Sequence, residues 1–118
     1  MQSSEEILRR LAVGDRTLIA ALAGSGDEHP EAPRLDELTE ALVRLAVLVP
    51  LDASQSSYQV AVEAAMRAGA SLEDLLGTLV ATIEAVGVPR VVSAAPRIAL
   101  AAGYDVDAAL EQPARWEG

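Results

Sequence analysis

The chain contains no cysteine, and this excludes disulfides, thiolate nucleophiles and cysteine-ligated metals within it. Its one histidine, His29, excludes a histidine-rich metal site built by a single chain. The net charge of -9 disfavours nucleic acid and anionic membrane surfaces as partners. No eighteen apolar residues run uninterrupted, and the start MQSSEEILRR lacks the apolar centre of a signal peptide. We therefore expect a cytoplasmic protein that uses no cofactor.

What the chain does contain is a series of apolar segments with helix-capping residues before them and glycine or proline after them. Helices are expected after Ser3, over 17–23, over 38–49, from Asp52 or Ser54 to Ala68, over 71–86, over 90–102 and over 106–111. Pro96 should kink or split the sixth of these. The pattern predicts an all-α fold, a compact bundle of about six to seven helices in a single domain, 1–118, with a flexible tail at 112–118.

Two of the expected helices are apolar on more sides than one subunit of this size covers. The segment 38–49 carries apolar residues almost all round, and 72–86 carries them on more than one side. A helix without a polar face must be covered on every side, so neighbouring subunits are expected to supply the missing cover. The sequence thus predicts a homo-oligomer, a trimer or hexamer before a dimer.

An ordered set of short motifs links these helices. Leu35-Asp36 precedes one apolar helix, Ala68-Gly69-Ala70-Ser71 with Glu73-Asp74 follows the next, and Gly87-Val88-Pro89 closes a third. In this order and spacing the segment 35–103 resembles the carboxymuconolactone decarboxylase superfamily, which includes the alkylhydroperoxidase D-like proteins. The resemblance implies small all-helical subunits that assemble as homotrimers or homohexamers.

The chemistry that the resemblance implies does not transfer to this chain. Thiol-active members have Cys-x-x-Cys and then a histidine on the second family helix, and a relay glutamate on the helix before it. Counted back from Gly69, the two cysteine positions fall on Ser54 and Ser57, and the histidine position falls on Ala61. Counted forward from Asp36, the cysteine positions fall on Ala53 and Ser56 and the histidine position on Val60. In this second count the relay glutamate position falls on Ala41. A further family glutamate corresponds to Gly77, a glycine that close packing explains better than room for a ligand. The chain is therefore expected to be a divergent member without thiol redox chemistry.

Two charged residues interrupt apolar helices, Arg44 in the segment 38–49 and Glu84 in the segment 71–86. A charge in such a place must be paired, hydrogen-bonded or led to water. In one interpretation Glu40, four residues earlier, pairs with Arg44 at an outer surface or subunit seam. Glu84 then pairs with an arginine such as Arg90 or Arg97. In another, both charges face solvent separately.

A sharper interpretation places the arginine and the glutamate with Ser54, Ser57 and Tyr58 around one pocket. The guanidinium of Arg44 would bind a substrate carboxylate, and Glu84, the candidate catalytic residue, would move a proton. The start of the helix at Ser54 adds free backbone N–H groups that favour an anion. The competing interpretation is that the serines only cap this helix, as serine commonly does.

Three classes of function follow from these patterns. The first is a non-catalytic small-molecule-binding or assembly module, with a small carboxylate as the candidate ligand. The alternative is a non-redox lyase, isomerase or hydrolase acting on a small organic acid or lactone. A thiol peroxidase is disfavoured, because that reaction needs a sulfur that this chain lacks. Converging polar groups below the Ser54 helix would favour an enzyme, and a filled alanine–leucine interior would favour a scaffold.

Overall fold

Five of the six helices that the structure describes begin after a capping residue that the sequence predicts, and the last begins at Val88 without a side-chain cap. The structure is a computed structural model that describes residues 3–24 and 32–104. Within those ranges it contains α1 (Ser4–Ala12), α2 (Arg16–Ala23), α3 (Glu37–Leu48), α4 (Gln55–Arg67), α5 (Leu72–Val86) and α6 (Val88–Ala101). The described residues form no strand, which confirms the predicted all-α fold.

The chain divides into two units, Met1–Leu35 and Asp36–Gly118. The predicted family-like segment 35–103 and the single domain over the whole chain both stay predictions. The helix expected over 106–111, the tail at 112–118 and His29 lie outside the described residues.

In the first unit, α1 packs against α2. The Asp15 carboxylate caps α2 by accepting the backbone N–H groups of Thr17 and Leu18 at 3.0 and 3.2 Å. It also accepts Arg10 Nε at 2.8 Å. The hydrogen bond from Arg10 and the backbone bond from Leu18 lower the pKa of Asp15.

In the second unit, α3 packs against α4 and α5, and α6 packs against the same two helices. The four helices therefore form a bundle in which each has two neighbours. Its core consists of Ala41, Leu45, Val49, Tyr58, Val62, Ala65, Leu75, Leu79, Val91, Ala94, Ile98 and Ala101. Apart from the tyrosine, every one of these side chains is aliphatic.

Local hydrogen bonds fix the starts of α3 and α5 in this bundle. Asp36 accepts the Thr39 N–H at the start of α3. At the start of α5, Ser71 and Asp74 form a complete capping box, in which each side chain accepts the other residue's backbone N–H. The Ser71 contacts lower the pKa of Asp74.

The split expected at Pro96 and the close packing expected at Gly77 need correction. Pro96 does not split α6, which continues from Val88 to Ala101. Proline removes one backbone hydrogen bond, but here Pro96 and Val92 are both exposed, so water can satisfy the freed carbonyl. Close packing does not explain Gly77 within this chain, because a Cβ added there would meet no atom within 4 Å. Within the described ranges, 3–24 and 32–104, no helix has the length and apolarity needed to cross a membrane.

Candidate functional site

Ser54 and Ser57 lie together at the start of α4, where Ser54 is the capping residue. Ser54 Oγ accepts the backbone N–H of Ser57 at 3.3 Å. The same oxygen lies 3.0 Å from Ser56 Oγ and 3.2 Å from Ser57 Oγ. The three hydroxyls are exposed and bond to one another, so the geometry gives this cluster a capping role.

Tyr58 belongs to the bundle core, with a residue exposure of 1%. Its burial raises the pKa of the phenol. The positive charge of Arg97 opposes this rise, and the negative charge of Asp52 adds to it. Tyr58 is thus mainly a packing residue, and the nearby charges of Arg97 and Asp52 influence its pKa.

Among the described residues, no hydrogen bond or ion pair links Arg44 or Glu84 to the serines at the start of α4 or to Tyr58. Arg44 Nη2 lies 3.5 Å from Glu40 Oε2, and the Arg44 side chain is 68% exposed. This is the pairing that the four-residue spacing indicates, at an outer surface. Glu84 is exposed on α5, and the two arginines suggested as its partners are engaged elsewhere.

Arg90 and Arg97 bind the turn between α3 and α4. The sequence did not indicate this contact. Arg90 Nη1 donates to the Pro50 carbonyl at 2.6 Å. Arg97 Nη1 donates to the Ala53 carbonyl and lies 3.7 Å from Asp52 Oδ1. Because Arg90 and Arg97 are seven residues apart, they share one face of α6, and this spacing was the available signal.

The turn between α3 and α4 is also held by a residue of α4 and by its own backbone conformation. Gln55 Nε2 donates to the Arg97 carbonyl at 2.8 Å, so the contact between the turn and α6 runs in both directions. Asp52 has a φ of 50°, a left-handed conformation that aspartate tolerates better than most residues. The turn therefore has a defined shape, fixed by groups from two helices.

An open cleft of about 400 Å³ lies beside this turn, lined by Val49, Asp52, Pro89, Arg90 and Ser93. It presents a guanidinium, a hydroxyl and a carboxylate. It also lies at the start of α6, where no side chain caps the backbone N–H groups. The Asp52 side chain is 77% exposed, so it is a solvated carboxylate. This chemistry suits reversible contact with a small polar molecule.

A second cavity, of about 280 Å³, is the α3–α5 groove, lined by Thr39, Leu42, Val43, Ala46, Thr78, Ala81, Thr82 and Ala85. It contains no charged side chain. The hydroxyls of Thr78 and Thr82 donate to the carbonyls of Asp74 and Leu79 on their own helix, both at 2.8 Å. With those hydroxyls engaged, the groove is an apolar surface rather than a polar site.

The interior below α4 is filled by apolar side chains. Leu45, Val62 and Ala65 have no exposed surface, and no charged residue is buried in the part of the chain that the structure describes. Nor do these residues bring together three or more histidine, cysteine, aspartate or glutamate side chains in a way that could hold a metal. Below α4 the described residues therefore form a filled apolar interior.

Comparison of the chain with family models, with curated proteins and with solved structures finds no match. The resemblance to the carboxymuconolactone decarboxylase superfamily therefore rests on the motifs of segment 35–103.

Proposed function

We propose that this chain is a non-catalytic, self-associating helical module, a divergent relative of the carboxymuconolactone decarboxylase superfamily that works as a homo-oligomer. The observation that carries the proposal is the surface of α5. This helix exposes Leu72, Leu76 and Val80 by 48 to 58%, on a chain whose interior is already filled. These residues recur every four positions and so share one flank of α5, and contiguous exposed apolar surface is typical of interaction sites.

The arrangement of the candidate catalytic residues also supports a module rather than an enzyme. Arg44 pairs with Glu40 on the outside, Glu84 is exposed on another helix, and Tyr58 is packed in the core. The catalytic alternative, a non-redox lyase, isomerase or hydrolase, needs an acid and a base that converge on one substrate. Arg44, Glu84 and Tyr58 offer no such pair.

Light scattering after size-exclusion chromatography at micromolar concentration tests the proposal. The expected mass is a small integer multiple of the 12.3 kDa chain, three or six before two. A mass near that of one chain would overturn it. Circular dichroism in the same buffer checks that the sample is helical.

Binding of a small carboxylate is a second candidate, favoured by the cleft at the start of α6. There Arg90 and Ser93 add donors to an uncapped helix start. The site proposed here is at the start of α6, whereas the sequence predicted an anion at the start of α4, at Ser54. Titration with malonate, followed by amide NMR shifts, is expected to move the signals of residues 88–93.

The matched pair of variants for this titration is Arg90→Ala and Arg44→Ala. Both remove an exposed arginine from the same unit, but only Arg90 lines the cleft. Loss of the malonate shifts in Arg90→Ala alone would support the site. Equal responses in both variants, or no shifts in the unmodified chain, would rule it out.

A further inference from the structure

The cleft beside the turn between α3 and α4 is lined by two side chains of opposite charge, Asp52 and Arg90. Asp52 lies near Arg97, and Arg90 donates to the Pro50 carbonyl. Within the described part of the chain, Asp52 and Arg90 form no ion pair with each other. The cleft therefore presents a negative and a positive group that one bound molecule can contact at the same time.

Both charged groups keep hydrogen-bonding capacity for such a molecule. Arg90 uses Nη1 for the Pro50 carbonyl, which leaves the N–H groups of Nε and Nη2. The Asp52 carboxylate accepts no hydrogen bond from residues 3–24 and 32–104, because the 3.7 Å between its Oδ1 and Arg97 Nη1 is longer than such a bond. An ionised carboxylate offers acceptor sites on both of its oxygens.

The fold fixes these two groups relative to each other. The Arg90 guanidinium is bound at 2.6 Å to the carbonyl of Pro50, only two residues before Asp52 in the same turn. Asp52 itself has a φ of 50°, and Arg97 donates to the carbonyl of the next residue, Ala53. Groups that are already in place lose little conformational freedom when a ligand binds, which favours binding.

The remaining lining of the cleft suits a small ligand with a short carbon skeleton. Ser93 lies one helical turn after Arg90 on α6, and its hydroxyl makes no hydrogen bond to the described residues. Val49, which is 3% exposed, and Pro89 add apolar surface. The volume of about 400 Å³ is near the lower end of the range for small-molecule sites.

The charges of the cleft and of the chain select the class of ligand. A simple anion is attracted by Arg90 but repelled by Asp52 and by the net charge of -9, and a simple cation is repelled by Arg90. From these observations we infer that the cleft binds a small amino acid as its zwitterion, with the carboxylate on Arg90 and the ammonium group on Asp52. The inference rests on the carboxylate site proposed above and names its ligand class.

Two matched pairs of probes test this inference, glycine against acetate and β-alanine against propionate. The members of each pair share a carbon skeleton and a carboxylate, and only the amino acid carries an ammonium group. Titrations followed by amide NMR shifts are expected to move the signals of residue 52 and of residues 88–93. Each amino acid is expected to bind roughly two- to fivefold more tightly than its partner acid, as one added ion contact at an exposed site allows.

Asp52→Asn removes the negative charge of the cleft and keeps the shape of the side chain. Asparagine also tolerates the left-handed φ of this position, so the fold is expected to survive, which the melting temperature checks. In this variant the preference for the amino acid over its partner acid should disappear. Glu73→Gln is the matched control, because Glu73 is an exposed carboxylate on α5 outside the cleft, and it should keep the preference.

Because the preference is a ratio measured within one variant, a general loss of stability does not imitate its loss. If neither amino acid binds the unmodified chain more tightly than its partner acid, or if the preference survives in Asp52→Asn, the inference is overturned while the carboxylate site stands. If none of the four probes moves the signals of residues 88–93, the carboxylate site fails as well. Neither result alters the mass measured for self-association.

Discussion

At the scale of single residues, the serines at the start of α4 illustrate how a capping pattern resembles a ligand site. Ser54 accepts the backbone N–H of Ser57, and Ser57 itself returns only a hydroxyl contact. Ser54→Ala is therefore expected to lower the free energy of unfolding by about 1 kcal/mol. Ser57→Ala should change it by less than about 0.5 kcal/mol, as is usual for an exposed substitution.

Urea unfolding followed by circular dichroism measures both variants under one condition. Equal losses in the two would show that the hydroxyl cluster acts as a unit rather than through one cap. If a variant lost malonate binding while its stability was unchanged, the result would support the interpretation that the serines form a binding site.

Tyr58 gives the fold a dependence on alkaline pH. Burial raises the pKa of this phenol above its value of about 10 in the unfolded chain. The folded state therefore holds the proton more tightly than the unfolded state does. The resulting stability is complete below the unfolded pKa and is lost as pH rises through the folded pKa.

Tyr58→Phe is expected to flatten the stability profile between pH 9 and 12, measured by urea unfolding at each pH. Tyr104→Phe is the control, since Tyr104 is 50% exposed and lies outside the core. An equally steep alkaline loss in Tyr58→Phe and in the unmodified chain would contradict the assignment.

Residue identity and spacing predicted some of these roles but not others. The caps at Asp36, Ser54 and Ser71 were readable because a cap bonds to backbone within three residues. The pairing of Arg44 with Glu40 was readable for the same reason. The targets of Arg90 and Arg97 were not, because they depend on how α6 packs against a turn some forty residues earlier.

At the scale of elements, α5 contains a glycine that its own chain does not require. Gly77 is helical, exposed and free of neighbours around an added Cβ, so alanine fits without strain. Gly77→Ala is expected to raise the free energy of unfolding by about 0.5–1 kcal/mol, because alanine restricts the unfolded chain and favours helix. Thermal unfolding detects a gain of this size.

Gly69→Ala is the contrasting variant. Gly69 has a φ of 101°, a conformation that disfavours any side chain, so this substitution should destabilise the fold. If Gly77→Ala also destabilised it, a neighbouring subunit would be expected to pack against that glycine.

The turn between α3 and α4 depends on α6 for its shape. Arg97→Ala removes the bond to the Ala53 carbonyl and the contact with Asp52, and should cost about 1.5–3 kcal/mol, the range for a hydrogen bond to a charged group. Arg67→Ala, at the exposed end of α4, should change stability by less than about 0.5 kcal/mol. Equal changes in the free energy of unfolding by urea for the two variants would show that the Arg97 contacts with the turn add little stability.

At the scale of the whole molecule, the apolar excess predicted from the segments 38–49 and 72–86 is visible as exposed side chains. Val43 and Val47 on α3 are 47 and 51% exposed, while the core of the bundle is filled. Composition shows that apolar residues are in surplus, but only the packing of the four helices shows which of them remain outside. The apolar side chains that stay exposed could therefore not be named from the sequence.

The balance of charge and apolar surface makes assembly sensitive to salt. Identical chains of charge -9 repel each other, whereas a contact made by exposed apolar side chains has no ion pair for salt to weaken. Raising sodium chloride from 0.01 to 0.15 M shortens the screening length from about 30 to about 8 Å and so reduces the repulsion. The dissociation constant of the oligomer, measured by sedimentation equilibrium, is therefore expected to fall as salt rises. A constant that rises with salt would mean that ion pairs hold the subunits together, and it would direct attention to exposed charges such as Arg44 and Glu84.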